Sequence, residues 1–169
     1  MMDFKAVLFV GFFITGLQSE CLRGWFHYGN SCYFISHTLK TWVDAGGFCR
    51  TYNSHLATIE TEGENIFLTD TIALIQNGVG KRDIHDLTQD FWIGGTDEVI
   101  DGVWVWASTG KDLTYTNWEP GQPDNWKLNE NCLSLVWWNI PGKWNDWNCD
   151  RNCHFICETK FPASGSIIG

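Results

Sequence analysis

The chain predicts an α+β domain, with its helices in the first half and most of its strands in the second. Three observations carry this. Both helix-start signals, Thr41 and Thr61-x-x-Glu64, lie early in the chain. The β-rich apolar runs are short and, with one exception, lie after them. All seven cysteines follow a leader-like N-terminus, and in an oxidising compartment such cysteines build a disulfide framework.

The elements follow in order. Behind Lys5, the apolar run Ala6 to Leu17 is too short to cross a bilayer and gives way to Gln18-Ser19-Glu20, so residues 1–19 read as a secretory signal peptide. The protein is then expected to be secreted and extracellular. Gly165-Ser166-Ile167-Ile168-Gly169 is too short for a membrane span or a lipid-anchor signal. Residues 20–160 form one domain by the usual size prior, and 161–169 a short C-terminal tail.

Cys32-Tyr33-Phe34-Ile35 is the first strand signal. Thr41 caps a helix through Trp42, Val43 and Ala45 to Tyr52, weakened by Gly46-Gly47. The capping box at Thr61 opens a second helix with Ile66, Phe67, Ala73 and Leu74 as its buried side and Gly78 as its stop. Strands follow at Phe91-Trp92-Ile93, Val103 to Trp106, Cys132 to Trp138, and His154 to Cys157. Residues 107–131, rich in Gly, Pro and Asn, form a long loop of the kind that usually carries function. Trp92, Trp104, Trp106, Trp118 and Trp144 fill the core, whereas Trp137, Trp138 and Trp147 are candidates for exposed positions near the site that the sequence does not place.

A net charge of −9 argues against nucleic acid or an anionic membrane as partner and allows some carboxylates to be clustered for a cation. Gln122, Asp124, Glu130, Asn145 and Asp146 offer three carboxylates and two amides within a short stretch. They would converge on one calcium ion, which takes six to eight oxygen ligands, if Cys132 is bonded to Cys149. The run Cys149-x3-Cys153-x3-Cys157 beside His154 lacks the second Cys/His pair that a zinc site needs. No nucleophile motif or His-Glu-x-x-His occurs, and the histidines His27, His37, His55, His85 and His154 are scattered, so no enzyme is expected.

From Cys21 to Glu158 the chain resembles a long-form C-type lectin domain. The matching residues are Cys21 and Cys32, Cys49, Trp92-Ile93-Gly94-Gly95, Trp118-Glu119-Pro120, Gln122-Pro123-Asp124, Trp144-Asn145-Asp146 and Phe155-Ile156-Cys157-Glu158. The resemblance implies a fold of two helices, small antiparallel sheets and a long calcium-binding loop. It also implies the pairings Cys21–Cys32, Cys49–Cys157 and Cys132–Cys149. Cys153 is left over, which suggests an intermolecular bridge and a homodimer, with a buried free thiol as the alternative.

For the site, the resemblance implies calcium held by Gln122, Asp124, Glu130, Asn145 and Asp146, with a cis Gln122-Pro123 peptide. A sugar diol would meet the ion and Gln122, Asp124, Glu130 and Asn145, while Trp126 stacks on the sugar's apolar face. In the family, Gln-Pro-Asp goes with galactose or N-acetylgalactosamine, although residues 125–129 lack the glycine-rich insertion of the best galactose binders. Asp97 and Asp101 match two ligands of an auxiliary calcium, while Asn125 and Asn131 stand where carboxylates are usual. The implied role is recognition of microbial glycans in innate immunity. The rival of another class is an extracellular protein that uses the same fold on a mineral or ice surface.

Overall fold

The computed structural model describes residues 20–78, 90–137 and 139–162. The expected signal peptide, His85, Trp138 and nearly all of the tail lie outside the described residues. Elements run β1 (Phe26–Tyr28), β2 (Ser31–Ile35), α1 (Trp42–Arg50), β3 (His55–Leu56), α2 (Glu62–Gly78), β4 (Phe91–Thr96), β5 (Val105–Trp106), β6 (Lys111–Asp112), β7 (Cys132–Leu135), β8 (Trp144–Trp147) and β9 (His154–Lys160). The long loop expected at residues 107–131 contains β6 and a tight turn at Trp126–Leu128, where Lys127 and Leu128 take left-handed φ of 59° and 56°. The α+β class holds.

The strands join in one nine-stranded mixed sheet, which corrects the expectation of small antiparallel ones. β9 lies between β2 and β4, antiparallel to the first and parallel to the second, with Phe91 opposite His154 and Trp92 opposite Phe155. β7 pairs with both β4 and β8. Glycines make the tight crossings possible: a Cβ on Gly94 would come within 2.7 Å of the Leu56 carbonyl oxygen, and one on Gly95 within 2.4 Å of Leu133 Cδ2.

Both helices begin where the caps are. Thr41 Oγ1 accepts the Asp44 N–H at 3.2 Å, and Thr61 Oγ1 accepts the Glu64 N–H at 3.2 Å. α1 ends at Arg50, short of Tyr52, whose N–H turns back to the Cys49 carbonyl. α2 buries Leu68 and Ile72, packs half-buried Phe67 against the core as expected, and leaves Ile66 and Leu74 exposed, so the expected buried side is corrected at those two positions. The reason is polar. Its buried face also holds Glu64 and Asn65, which apolar periodicity does not count. Glu64 takes the Tyr33 hydroxyl and the Glu60 N–H, and burial pushes its carboxyl pKa up. Asn65 accepts the Trp144 indole N–H at 2.7 Å and donates to the Gly142 carbonyl at 2.9 Å.

Fully buried Trp92, Trp106 and Trp144 anchor the interior. Indoles stack edge to face from Trp104 to Trp118 (5.1 Å between ring centres), Trp118 to Trp144 (6.1 Å) and Trp144 to Trp106 (6.0 Å). Disulfides Cys21–Cys32, Cys49–Cys157 and Cys132–Cys149 are all present, with Cα separations of 5.6, 5.4 and 5.2 Å. The second ties α1 to β9 across 108 residues of chain. Cys153 is unpaired and wholly buried, and burial pushes its thiol up to about 12. A sulfur held inside the core cannot meet a partner's sulfur at the surface, so the expected Cys153 bridge gives way to its alternative, a buried free thiol.

Candidate functional site

The long loop is pinned to β8 from below. The Glu119 N–H donates to the Trp144 carbonyl at 2.8 Å, and the Trp144 N–H to the Asn117 carbonyl at 2.9 Å. Gln122-Pro123 is a cis peptide. Asp146, fully buried on β8, accepts the loop's Asp124 and Asn125 N–H groups at 3.3 and 2.8 Å. Glu130, buried just before β7, accepts the Trp126 N–H at 2.9 Å. Those contacts bring the loop's turn over the strand ends.

As a result, carboxylate oxygens of Asp124, Glu130 and Asp146 all lie within 4.8 Å of one another, the one such group of three among the described residues. Burial pushes the Glu130 and Asp146 carboxyls up, and neighbouring carboxylates add to it. Gln122 and Asn145 line the same open cleft of about 240 Å³, with Asp124, Glu130, Trp126 and Trp147. Their side-chain carbonyl oxygens, Gln122 Oε1 and Asn145 Oδ1, are buried without a hydrogen-bond donor. A buried acceptor left without a donor costs about 1–3 kcal/mol. All five sequence-expected residues are therefore placed together. Their donor set, anionic oxygens and amide carbonyls with no nitrogen or sulfur, fits a hard cation such as calcium.

Two aromatic side chains wall this cleft. Trp126 is 60% exposed, and Lys127 Nζ sits 4.0 Å from its ring centre. Trp147 follows Asp146 on β8, donates its indole N–H to Asp90, and carries the Arg151 guanidinium 3.8 Å from its ring centre. Sequence reasoning found Trp126, left Trp147 as an unplaced candidate near the site, and missed Lys127 and Arg151. Only the position of Trp147 next to a ligand residue was a signal.

The auxiliary set is not brought together in the same way. Asp97 is buried, its Oδ2 accepts the Gly102 N–H at 2.9 Å, and its Oδ1 has no donor. Asp101 Oδ1 instead accepts the Asn125 amide at 2.8 Å, and Asn125 Oδ1 takes the Glu130 N–H at 3.2 Å. Asn125 thus braces the two loops with a neutral amide where the family usually has a carboxylate, and neither Asp97 nor Asp101 belongs to the carboxylate cluster of Asp124, Glu130 and Asp146.

Residues 38–159 match the family model described as the lectin C-type domain. Perlucin of Haliotis laevigata is 33% identical over 148 residues, covering 87% of this chain and 88% of that protein. The mouse scavenger receptor C-type lectin carbohydrate-recognition domain superposes with a TM-score of 0.69 at 33% identity, covering 85% of this chain and 98% of that one. A calcium-independent type II antifreeze protein superposes with a TM-score of 0.68 at 25% identity, covering 83% and 95%. The chain belongs to the C-type lectin domain family.

Proposed function

We propose that this C-type lectin family member is a secreted, calcium-dependent lectin for galactose-type glycans, serving recognition of microbial surfaces. The observation that carries the reading is the pair of donorless amide oxygens, Gln122 Oε1 and Asn145 Oδ1, in the cleft of the carboxylate cluster. Protein donors leave them bare, and a cation would satisfy them together with the three carboxylates. Calcium, when bound, would supply open coordination positions to two neighbouring sugar hydroxyls. The chain's own groups then complete each hydroxyl. Asp124 and Glu130 accept hydroxyl protons, and the Gln122 and Asn145 NH₂ groups donate to hydroxyl oxygens. Trp126, exposed at the cleft's edge, offers a face for the sugar's C–H groups.

The galactose preference rests on the order of amide and acid in Gln122-Pro123-Asp124. Exchanging them, Gln122→Glu with Asp124→Asn, conserves charge and oxygen count and should retain calcium while moving preference from galactose toward mannose. Competition with both free sugars measures it, and an unchanged sugar order assigns selectivity to the surrounding loop. A second reading, adsorption to a mineral or ice surface, draws on the likeness to the antifreeze protein. Retention on immobilised galactose with release by a chelator supports the lectin reading, whereas mineral or ice adsorption that free galactose does not reverse supports the other.

A further inference from the structure

Beside the sugar cleft lies a second one of about 230 Å³, lined by Trp126, Lys127, Asn129, Trp147, Asn148 and Arg151. The two adjoin along Trp126, Glu130 and Trp147, which line both. Either cleft alone is smaller than the roughly 300 Å³ at which small-molecule sites usually begin, whereas the joined groove is not. One wall of the second cleft is fixed. Trp147 donates its indole N–H to Asp90 at 2.9 Å, and the Arg151 guanidinium over its ring is itself drawn to Asp90 and hydrogen-bonded to Cys153. Arg151 therefore belongs to the wall and is not a free charge. The opposite side is set by a strained turn, in which Asn125, Lys127 and Leu128 hold left-handed φ of 44°, 59° and 56° with no glycine among residues 125–128. Such strain persists only where the surroundings impose it, and it gathers at ligand clamps. Here Asn125 imposes it through hydrogen bonds to Asp146, Asp101 and Glu130, which brings Trp126, Lys127 and Asn129 to the groove.

We propose that the groove takes two sugar units, a terminal galactose in the first cleft and the next neutral sugar of the same glycan in the second. The inference rests on the calcium-dependent galactose reading of the first cleft, and it names the ligand class as a galactose-terminated oligosaccharide. The available groups decide this. Asn148 Oδ1 accepts the Asp150 N–H at 2.8 Å, which leaves its NH₂ without a protein acceptor, and the exposed Asn129 amide has no protein partner among the described residues. Lys127 adds one more donor above Trp126. Glu130 is engaged elsewhere, held by the Trp126 N–H and belonging to the cluster in the first cleft. A sugar carries hydroxyls around its rim and C–H groups on its faces, and amides that both donate and accept beside indoles match that alternation. An apolar ligand would leave the amides unpaired, while an anion would find Lys127 as its one uncommitted cation in this cleft.

The test compares methyl galactoside with three disaccharides, galactose linked β1-3, β1-4 or β1-6 to N-acetylglucosamine, by calorimetry at saturating calcium. At least one linkage should bind about ten-fold more tightly than methyl galactoside, the size of one or two added hydrogen bonds. The linkage that gains identifies how the second sugar enters its cleft. Asn129→Ala and Asn148→Asp should each reduce the ratio of disaccharide to monosaccharide affinity and leave methyl galactoside binding as it was. Aspartate at 148 keeps the oxygen that accepts the Asp150 N–H and removes only the NH₂ donor. Asn129 is an exposed loop residue, so Asn129→Ala decides alone if the change at Asn148 disturbs folding. Methyl galactoside bound with calcium but no disaccharide bound more tightly, or a gain that the folded variants do not move, overturns the subsite and leaves the galactose reading standing. Binding of none of the four sugars overturns both.

Discussion

Carboxylates are held in two regions of this molecule and meet opposite treatment. In the disulfide-tied frame, Glu158 accepts the Ser31 hydroxyl at 2.7 Å on one oxygen and the Thr58 N–H and hydroxyl at 2.9 and 2.7 Å on the other. Asp90 takes the Trp137 N–H and the Trp147 indole N–H. These acids are met by neutral donors, and the Arg151 guanidinium also lies near Asp90. At the loop, by contrast, Asp124, Glu130 and Asp146 crowd one another, and two amide oxygens in the same cleft have no donor. Glu158 and Asp90 find their donors within the frame, whereas the loop is arranged for something from outside.

The contrast can be broken from the frame side first. Replacing Cys49 and Cys157 with alanine opens the longest covalent loop and should cost about 4–5 kcal/mol by the chain-entropy model. Thermal unfolding measures it, with loss in both the presence and absence of calcium. A protein that stays equally stable would show that the frame does not depend on this bridge.

Chelation probes the loop side. Binding to the native state alone raises stability by about 2.7 kcal/mol when free calcium is a hundred times its Kd, so a chelator should lower the melting temperature accordingly. Hydrogen exchange should rise across residues 118–131 and stay unchanged in β2 and β9. Equal loosening of both regions would erase the distinction.

Matched acid-to-amide changes sharpen it. Glu158→Gln places an NH₂ group where one oxygen accepted a hydrogen bond, and should cost roughly 2 kcal/mol with or without calcium. Glu130→Gln should remove the calcium response instead. Without calcium it relieves crowding among like charges, so its apo form should melt no lower than the parent. The smallest effect lies at the rim, where Trp126→Ala should weaken galactose binding by about 1 kcal/mol and leave the calcium titration as it was.

Much of the frame was legible because its signals are local. Thr41 and Thr61 set helix starts through short-range capping, and the cysteines fell into the pattern the resemblance implied. The buried side of α2 was misjudged because Glu64 and Asn65 face inward, satisfied by Tyr33 and Trp144 from distant parts of the chain. Cys153 misled for a related reason: its odd number was visible, its burial was not. At the site, the five oxygen-bearing residues were readable from spacing and resemblance. Asn125 acting as a brace, and Lys127 and Arg151 lying over Trp126 and Trp147, depend on loop geometry that no sequence period encodes.

The edge-to-face run of Trp104, Trp118, Trp144 and Trp106 makes the molecule optically twofold. Indoles held this closely at fixed angles couple their electronic transitions, so near-ultraviolet circular dichroism will be dominated by the interior and will register unfolding. Among the described residues, Trp126, exposed at the rim, is the indole that a neutral quencher such as acrylamide reaches most readily. Light thus separates what happens at the cleft from what happens in the core: a sugar that covers Trp126 will protect its emission from acrylamide while leaving the dichroism of the ladder untouched.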